Sequence, residues 1–240
     1  MPRGKSFTLN QHYFDSIDNP NKAYILGLIY SDGNISNGLD SHYRLRITLQ
    51  NGDKEILDRV KDELEFTGTV KVRELKNKKT ALMDNKPLIA ELSISNKYMI
   101  TRLKELGVVP AKSLICTYPN IPEEFDRDFI RGFFDGDGSI YERNEPSNPS
   151  LKKGMRIEIL SGSHELFWVM LRKIQKNVEG ITDGGVHDMK TKIRITKDKR
   201  QALRILSWLY EGSELYLDRK YQKYCYFRDK FLPPSSERAE

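Results

Sequence analysis

At 240 residues, 38% apolar and 31% charged, the chain has the composition of a soluble globular protein, long enough to bury real cores as one large domain or two small ones. Forty basic residues against 34 acidic ones give a formal net charge of +6, a balance compatible with a nucleic-acid partner that does not by itself demand one. The two cysteines, Cys116 and Cys225, are too few for a disulfide framework or a thiolate metal site, and reduced thiols in a cytosolic protein are expected.

Residues 1–20 are polar and irregular, with Phe7, Tyr13 and Phe14 as anchors, and lack the apolar core of a signal peptide. The longest apolar run, Tyr24 to Tyr30, is far too short to span a bilayer, so the cytoplasm or an organellar matrix is the expected location. Residues 43–50 alternate. Tyr43, Leu45, Ile47 and Leu49 face one side and Arg44, Arg46, Thr48 and Gln50 the other, which predicts a half-buried strand. Asn51-Gly52-Asp53 supplies a turn and an N-cap before a helical stripe of Ile56, Leu57, Val60 and Leu64. Residues 69–73 and 90–95 alternate again, and a helix over 97–106 stops at Gly107. Pro110, Pro119 and Pro122 mark a connector that cannot be continuous helix. The order then repeats. Residues 155–160 alternate with Arg156 and Glu158 outward, and Ser161-Gly162-Ser163 matches the earlier turn at an offset of 110. A helix with Leu166, Phe167, Val169, Met170 and Ile174 follows. Lys192, Arg194 and Thr196 alternate with Ile193 and Ile195, and helices are predicted over 198–210 and 217–231. Residues 144–153 read as a polar hairpin loop. The prediction is an α+β fold of two duplicated αββαββα units.

The repeat is sharpest in two segments. Tyr24-Ile25-Leu26-Gly27-Leu28-Ile29-Tyr30-Ser31-Asp32-Gly33 matches Phe129-Ile130-Arg131-Gly132-Phe133-Phe134-Asp135-Gly136-Asp137-Gly138, with the aspartates 105 positions apart. Read as helices, Gly27 and Ser31, and Gly132 and Gly136, form rows of small residues four apart, which let two backbones approach closely. Gly33 and Gly138 fit the position where a left-handed residue ends a helix. Asp32 and Asp137 would then sit at helix C-termini, the unfavourable end for an anion, at a typical cost of ~0.3–1 kcal/mol. With the helices parallel, the carboxylates also repel each other. A local rule broken twice at matching positions marks a candidate functional site. A bound divalent cation reverses the sign of both penalties, and oxygen-only ligands favour a hard ion, Mg²⁺ first. The plainer reading of either residue alone is a turn aspartate before glycine.

The two segments resemble the paired motifs of the LAGLIDADG homing endonucleases, in the single-chain form that carries both copies. The resemblance covers roughly residues 20 to 230; Tyr30 departs from the motif's first Asp, whereas the last Asp is present in both copies. It implies a monomer with half-domains at 21–109 and 125–232, a linker at 110–124, an N-terminal extension at 1–20 and a tail at 233–240. The half-domains would meet along the motif helices, with two antiparallel sheets forming a saddle over double-stranded DNA. Asp32 and Asp137, with the carbonyls of Ser31 and Gly136, would hold Mg²⁺ as two or three ions, replaceable by Mn²⁺ or Ca²⁺. Both strands would be cut across the minor groove, leaving short 3′ overhangs. The sequence difference between the halves implies a long site that is not strictly palindromic. Asp53, or its counterpart Ser163, would orient water, although an N-cap is the simpler reading of Asp53. Lys112 and Lys220 would lie near the scissile phosphates, stabilising charge or polarising water; ordinary surface lysines or phosphate anchors are the alternative.

The outward strand residues suit a duplex. Arg pairs bidentately with guanine, Gln with adenine, and Thr serves several bases or a phosphate. The candidates are Arg44, Arg46, Thr48, Gln50, Lys71, Arg73, Arg156, Glu158, Lys192 and Arg194, against the alternative of solvated faces of antiparallel strands. Two other functions suit the same fold: an RNA-binding intron maturase and a non-catalytic DNA-binding regulator. Retention of both aspartates favours cleavage. An intein is not expected, because position 1 carries no nucleophile.

Overall fold

The computed structural model describes residues 7–36, 43–75, 85–109, 116–143 and 154–231. The first run of elements is α1 (Pro20–Asp32), β1 (Gly33–Ile35), β2 (Arg44–Gln50), α2 (Lys54–Glu63), β3 (Lys71–Glu74), β4 (Leu88–Ser95) and α3 (Lys97–Glu105). The second is α4 (Asp126–Asp137), β5 (Gly138–Arg143), β6 (Gly154–Ser161), α5 (His164–Asn177), β7 (Val186–Met189), β8 (Lys192–Asp198) and α6 (Lys199–Tyr210), and a further helix, α7 (Asp218–Phe231), closes the chain. Both runs are αββαββα. Each builds a four-stranded antiparallel sheet, in the orders β1-β2-β4-β3 and β5-β6-β8-β7. The hairpin loop expected at 144–153 lies outside the described residues.

Alternation decides which face of each sheet is covered. Leu45, Ile47, Leu49, Ala90, Leu92 and Ile94 are buried on the first sheet, as are Met155, Ile157, Ile159, Ile193 and Ile195 on the second. The residues between them stay polar and partly exposed. In the N-terminal segment Tyr13 and Phe14 are buried anchors, but Phe7 is 53% exposed and only leans on Phe66.

Helix α1 starts at Asn19, whose side chain accepts from the Lys22 N–H at 3.0 Å, with Pro20 in the first turn. It is buried from Ala23 to Tyr30, as an all-round apolar helix must be. Its neighbour is α4, packed in parallel. A Cβ at Gly27 would lie 2.0 Å from the Phe129 carbonyl oxygen, and a Cβ at Gly132 would lie 2.0 Å from that of Tyr24. Phe129 and Tyr24 are themselves repeat equivalents, so the contact is reciprocal about a pseudo-twofold axis. Backbone meets backbone there, and no side chain fits.

The structure corrects the expectation for Gly33 and Gly138. Both are extended, with φ/ψ of −78/148° and −87/163°, because each helix runs straight into a strand. Glycine is needed for space instead: a Cβ would come 2.6 Å from the Ile29 carbonyl at Gly33 and 2.5 Å from the Phe134 carbonyl at Gly138. Left-handed endings occur instead at Gly107, after α3, and at Gly212, after α6, at φ 89° and 69°.

Candidate metal and nucleic-acid site

Because α1 and α4 run in parallel, their C-terminal residues Asp32 and Asp137 come to the same end of the pair. Asp32 is half-buried and Asp137 exposed. Asp32 leans across the helix boundary: its Oδ2 lies 2.5 Å from where a Cβ of Gly136 would stand. Ser31 Oγ turns back into its own helix, donating to the Leu28 carbonyl at 3.0 Å. The site therefore combines two carboxylates with the last-turn carbonyls of two helices, all negative in potential. No group of three or more His, Cys, Asp or Glu side chains converges among the described residues. The donor set that remains, two carboxylates and main-chain oxygens, fits a hard cation of the Mg²⁺ type, which takes one or two protein carboxylates and fills its shell with water and phosphate.

Lys220 supplies the compensating charge. It is 2% exposed, which removes the surface-lysine alternative. Its Nζ donates to the carbonyls of Phe134, Asp135 and Gly138 at 2.6, 2.6 and 2.7 Å, closing the end of α4. Burial lowers its pKa to about 8, against the opposing pull of Asp135, Asp32 and Asp137. Asp135, fully buried, accepts from Tyr24 OH (2.8 Å), Tyr210 OH (2.5 Å) and the Leu217 N–H (2.8 Å), the last just ahead of α7. Desolvation raises its pKa, against Lys220 and these donors. Tyr30, its counterpart, donates instead to the Leu106 carbonyl beyond α3 at 2.6 Å. In one half a phenol on the motif helix reaches an acceptor past the last helix; in the other the acceptor is on the motif helix and the phenol, Tyr210, is on α6. That exchange explains the departure from the motif at Tyr30.

Asp53 stands at the N-cap of α2 but makes no cap bond. Its carboxylate, 5% exposed, accepts from Arg219 Nε at 3.0 and 2.9 Å, joining the first half to α7. The cap chemistry is found at Ser163, whose Oγ accepts from the Leu166 N–H at 3.3 Å and donates to the Cys116 carbonyl at 2.5 Å. Lys112 lies outside the described residues.

The strand candidates share the open faces as expected, but the arginines among them are not unpaired. Glu91, on β4, holds Arg46 at 3.5 Å and Arg73 at 2.7 Å. Thr48 and Lys71 stand opposite it in register. Arg44 reaches Ser95 Oγ at 3.4 Å, and Gln50 and Lys192 are exposed. On the second sheet Glu158 pairs with Arg194 at 3.0 Å and Arg156 with Asp198 at 2.7 Å. Glu91 was legible from the alternation of residues 90–95. Asp198, Arg219 and Asp135 carry no local signal, because their partners are 42 to 166 positions away.

No family model and no curated protein matches the chain. Solved structures do. The LAGLIDADG meganuclease I-AabMI, bound to uncleaved DNA, is 14% identical with a TM-score of 0.57, over 88% of this chain and 91% of its own. I-WcaI, bound to its DNA recognition sequence, is 14% identical with a TM-score of 0.56, over 93% and 94%. I-SmaMI, bound to an uncleaved DNA target in the presence of calcium ions, is 11% identical with a TM-score of 0.54, over 87% and 90%. Among the described residues no helix is long and apolar enough to cross a membrane. At these identities the likeness is one of architecture, and the chain has the fold of the LAGLIDADG homing endonucleases.

Proposed function

We propose that this protein is a sequence-specific DNA endonuclease that binds duplex DNA as a monomer and makes a divalent-metal-dependent double-strand cut at a long, asymmetric site. The observation that carries this reading is the meeting of Asp32 and Asp137 at one end of a parallel helix pair, each where its helix runs into the edge strand of a four-stranded sheet. The solved neighbours were captured on DNA, one with calcium present.

Asp32, Asp137 and the carbonyls of Ser31 and Gly136 would hold the cation, Mg²⁺ by donor chemistry. Bound there, it supplies an acidified water and charge stabilisation for in-line displacement at phosphorus. The chain's own residues do the rest. Lys220 fixes the end of α4, and with it Gly136 and Asp137, by three hydrogen bonds. Its positive charge adds to the field that favours an anionic transition state. The sheet faces orient the duplex through Arg46, Arg73, Arg156 and Arg194.

Asp32→Asn and Asp137→Asn test the reading. Each substitution keeps shape and removes charge, so double-strand cleavage in Mg²⁺ is expected to vanish while a gel shift persists. Undiminished cleavage in either variant would remove the site assignment. Sequence-specific DNA binding without cleavage in the wild type would identify a regulator, and preferential binding of structured RNA a maturase.

A further inference from the structure

The two outward sheet faces share a register but not a chemistry. Ile47 stands opposite Gly33 and Ile159 opposite Gly138, so Arg46, Thr48 and Glu91 of the first sheet correspond to Glu158, Leu160 and Arg194 of the second. On the outer strands, Lys71 opposite Glu91 corresponds to His187 opposite Arg194, and Arg73 to Met189, two residues further on. Ser36, whose N–H donates to the Arg44 carbonyl, corresponds to Tyr141, which stands opposite Arg156. The central charges have changed sign. Glu91 holds two arginines in the first half, whereas Arg194 meets one glutamate, Glu158, in the second. Three polar positions, Ser36, Thr48 and Arg73, have become Tyr141, Leu160 and Met189.

These apolar side chains stand on the side of the sheet that does not close the core; Ile140, Ile157, Ile159, Ile193 and Ile195 do that from the other side. Tyr141 and Met189 are 38% and 39% exposed, and Leu160 is half-buried. In water such exposure gains nothing. The three do not form a contiguous patch of the kind that docks a protein. Leu160 lies four residues along β6 from Arg156, the residue opposite Tyr141, with Glu158 between, a separation of about 14 Å. Arg194 and Lys192, on β8, stand between Leu160 and Met189. Single apolar groups set among hydrogen-bonding ones, about four base-pair steps of ~3.4 Å apart, suit a sheet laid in the major groove. There the thymine C5-methyl is the apolar group that the base edges offer.

We infer that the second sheet reads thymine methyl groups through Tyr141, Leu160 and Met189, so that the target carries thymines on the flank under that sheet. The flank under the first sheet, faced by Arg46 and Arg73 at the equivalent places, is read by hydrogen bonds, guanine being the base that arginine pairs with bidentately. The inference rests on the DNA-binding reading above and adds which bases each flank presents. Leu160 follows Ile159, the partner of Gly138, so its thymine lies near the motif aspartates, and that of Tyr141 lies further out.

The probe is the duplex that the full chain selects from a randomised library, remade with uracil in place of one thymine at a time. Uracil keeps every hydrogen-bonding group of thymine and lacks only the methyl. On one flank, two or more substitutions are expected to weaken binding by the wild type about fourfold each, the effect of one buried methyl-sized group, and none on the other flank. Leu160→Ala and Met189→Ala should each become insensitive to uracil at one of those positions and stay sensitive at the rest. Arg73→Ala marks the opposite flank by relaxing the preference for a guanine there. Met189 is exposed on an outer strand, so its truncation spares the core, and the uracil scan of the wild type needs no variant. The inference is overturned, and the endonuclease reading stands, if uracil is tolerated at every thymine, if sensitive thymines are spread evenly over both flanks, if neither selected flank carries thymine, or if both alanine variants keep the wild-type pattern. If the wild type enriches no duplex sequence, the endonuclease reading falls, and this inference with it.

Discussion

Asp53 and Ser163 hold the same position in the two repeats and engage different partners. Ser163 caps its own helix; Asp53 is a buried carboxylate that accepts from a half-exposed arginine near the other end of the chain. The pair predicts unequal mutant costs. Arg219→Ala leaves a buried carboxylate without its counter-ion and should destabilise more than Asp53→Asn, which also removes the charge. The double variant should cost less than the sum, with a coupling of about 0.5–3 kcal/mol in urea unfolding. Additive costs would show that the bridge does not tie the halves. Lys220 predicts a pH dependence. Its folded pKa, about 8, is below the ordinary lysine value of 10.5, so the unfolded chain binds more protons between these values and stability rises with pH through that window. Measured against Lys220→Met, which does not titrate, the wild type should gain stability from pH 7.5 to 9.5. A flat difference would mean that the ammonium is not buried as described. The two motif aspartates were readable in the sequence because the motif is local. Asp135 was not, since what makes it matter, Tyr210 and Leu217, arrives from α6 and the approach to α7.

At the level of elements, the strongest constraint is the α1–α4 contact. Gly27→Ala and Gly132→Ala each drive a methyl to within 2.0 Å of a carbonyl oxygen on the partner helix, where only backbone movement can relieve the clash. Each should lower stability by at least ~1–3 kcal/mol, and by similar amounts because the contacts are reciprocal. Gly52→Ala is the control: nothing lies within 4 Å of its added Cβ, and a neutral or slightly stabilising change of ~0.4–1 kcal/mol is expected. Equal melting temperatures for all three would contradict the close packing. Most helices and strands were legible from periodicity, since alternation and helical stripes report burial directly. The glycines after the motif aspartates were misread, because sequence shows that a Cβ is absent but not whether conformation or space forbids it.

For the whole molecule, the proposed function gives the sheet faces the task of meeting a polyanion. Their arginines are held by Glu91, Glu158 and Asp198, so in the proposed function a duplex would have to compete with built-in carboxylates. Such pairs are nearly neutral in stability when exposed, but they tax indiscriminate binding. Glu91→Gln should therefore raise affinity for unrelated duplexes more than for the target, relaxing specificity, with a steeper salt slope for both. Unchanged affinity for unrelated DNA would show that Glu91 does not oppose the duplex. The pseudo-twofold arrangement was foreseeable from the repeat; the unequal placing of its counter-charges was not, since each pair joins separate strands.

Ser31 and Gly136 are equivalent residues that meet across the pseudo-twofold axis, and a Cβ at Gly136 would lie 1.9 Å from Ser31 Oγ. Only one of the two positions can carry a side chain. If two first halves paired with each other, serine would face serine at a spot with room for one. Two second halves would place glycine against glycine and close. The interface thus admits the mixed pair, excludes one like pair and tolerates the other. A separately produced first half should stay single and recruit a second half, whereas a separately produced second half should be able to join its own kind.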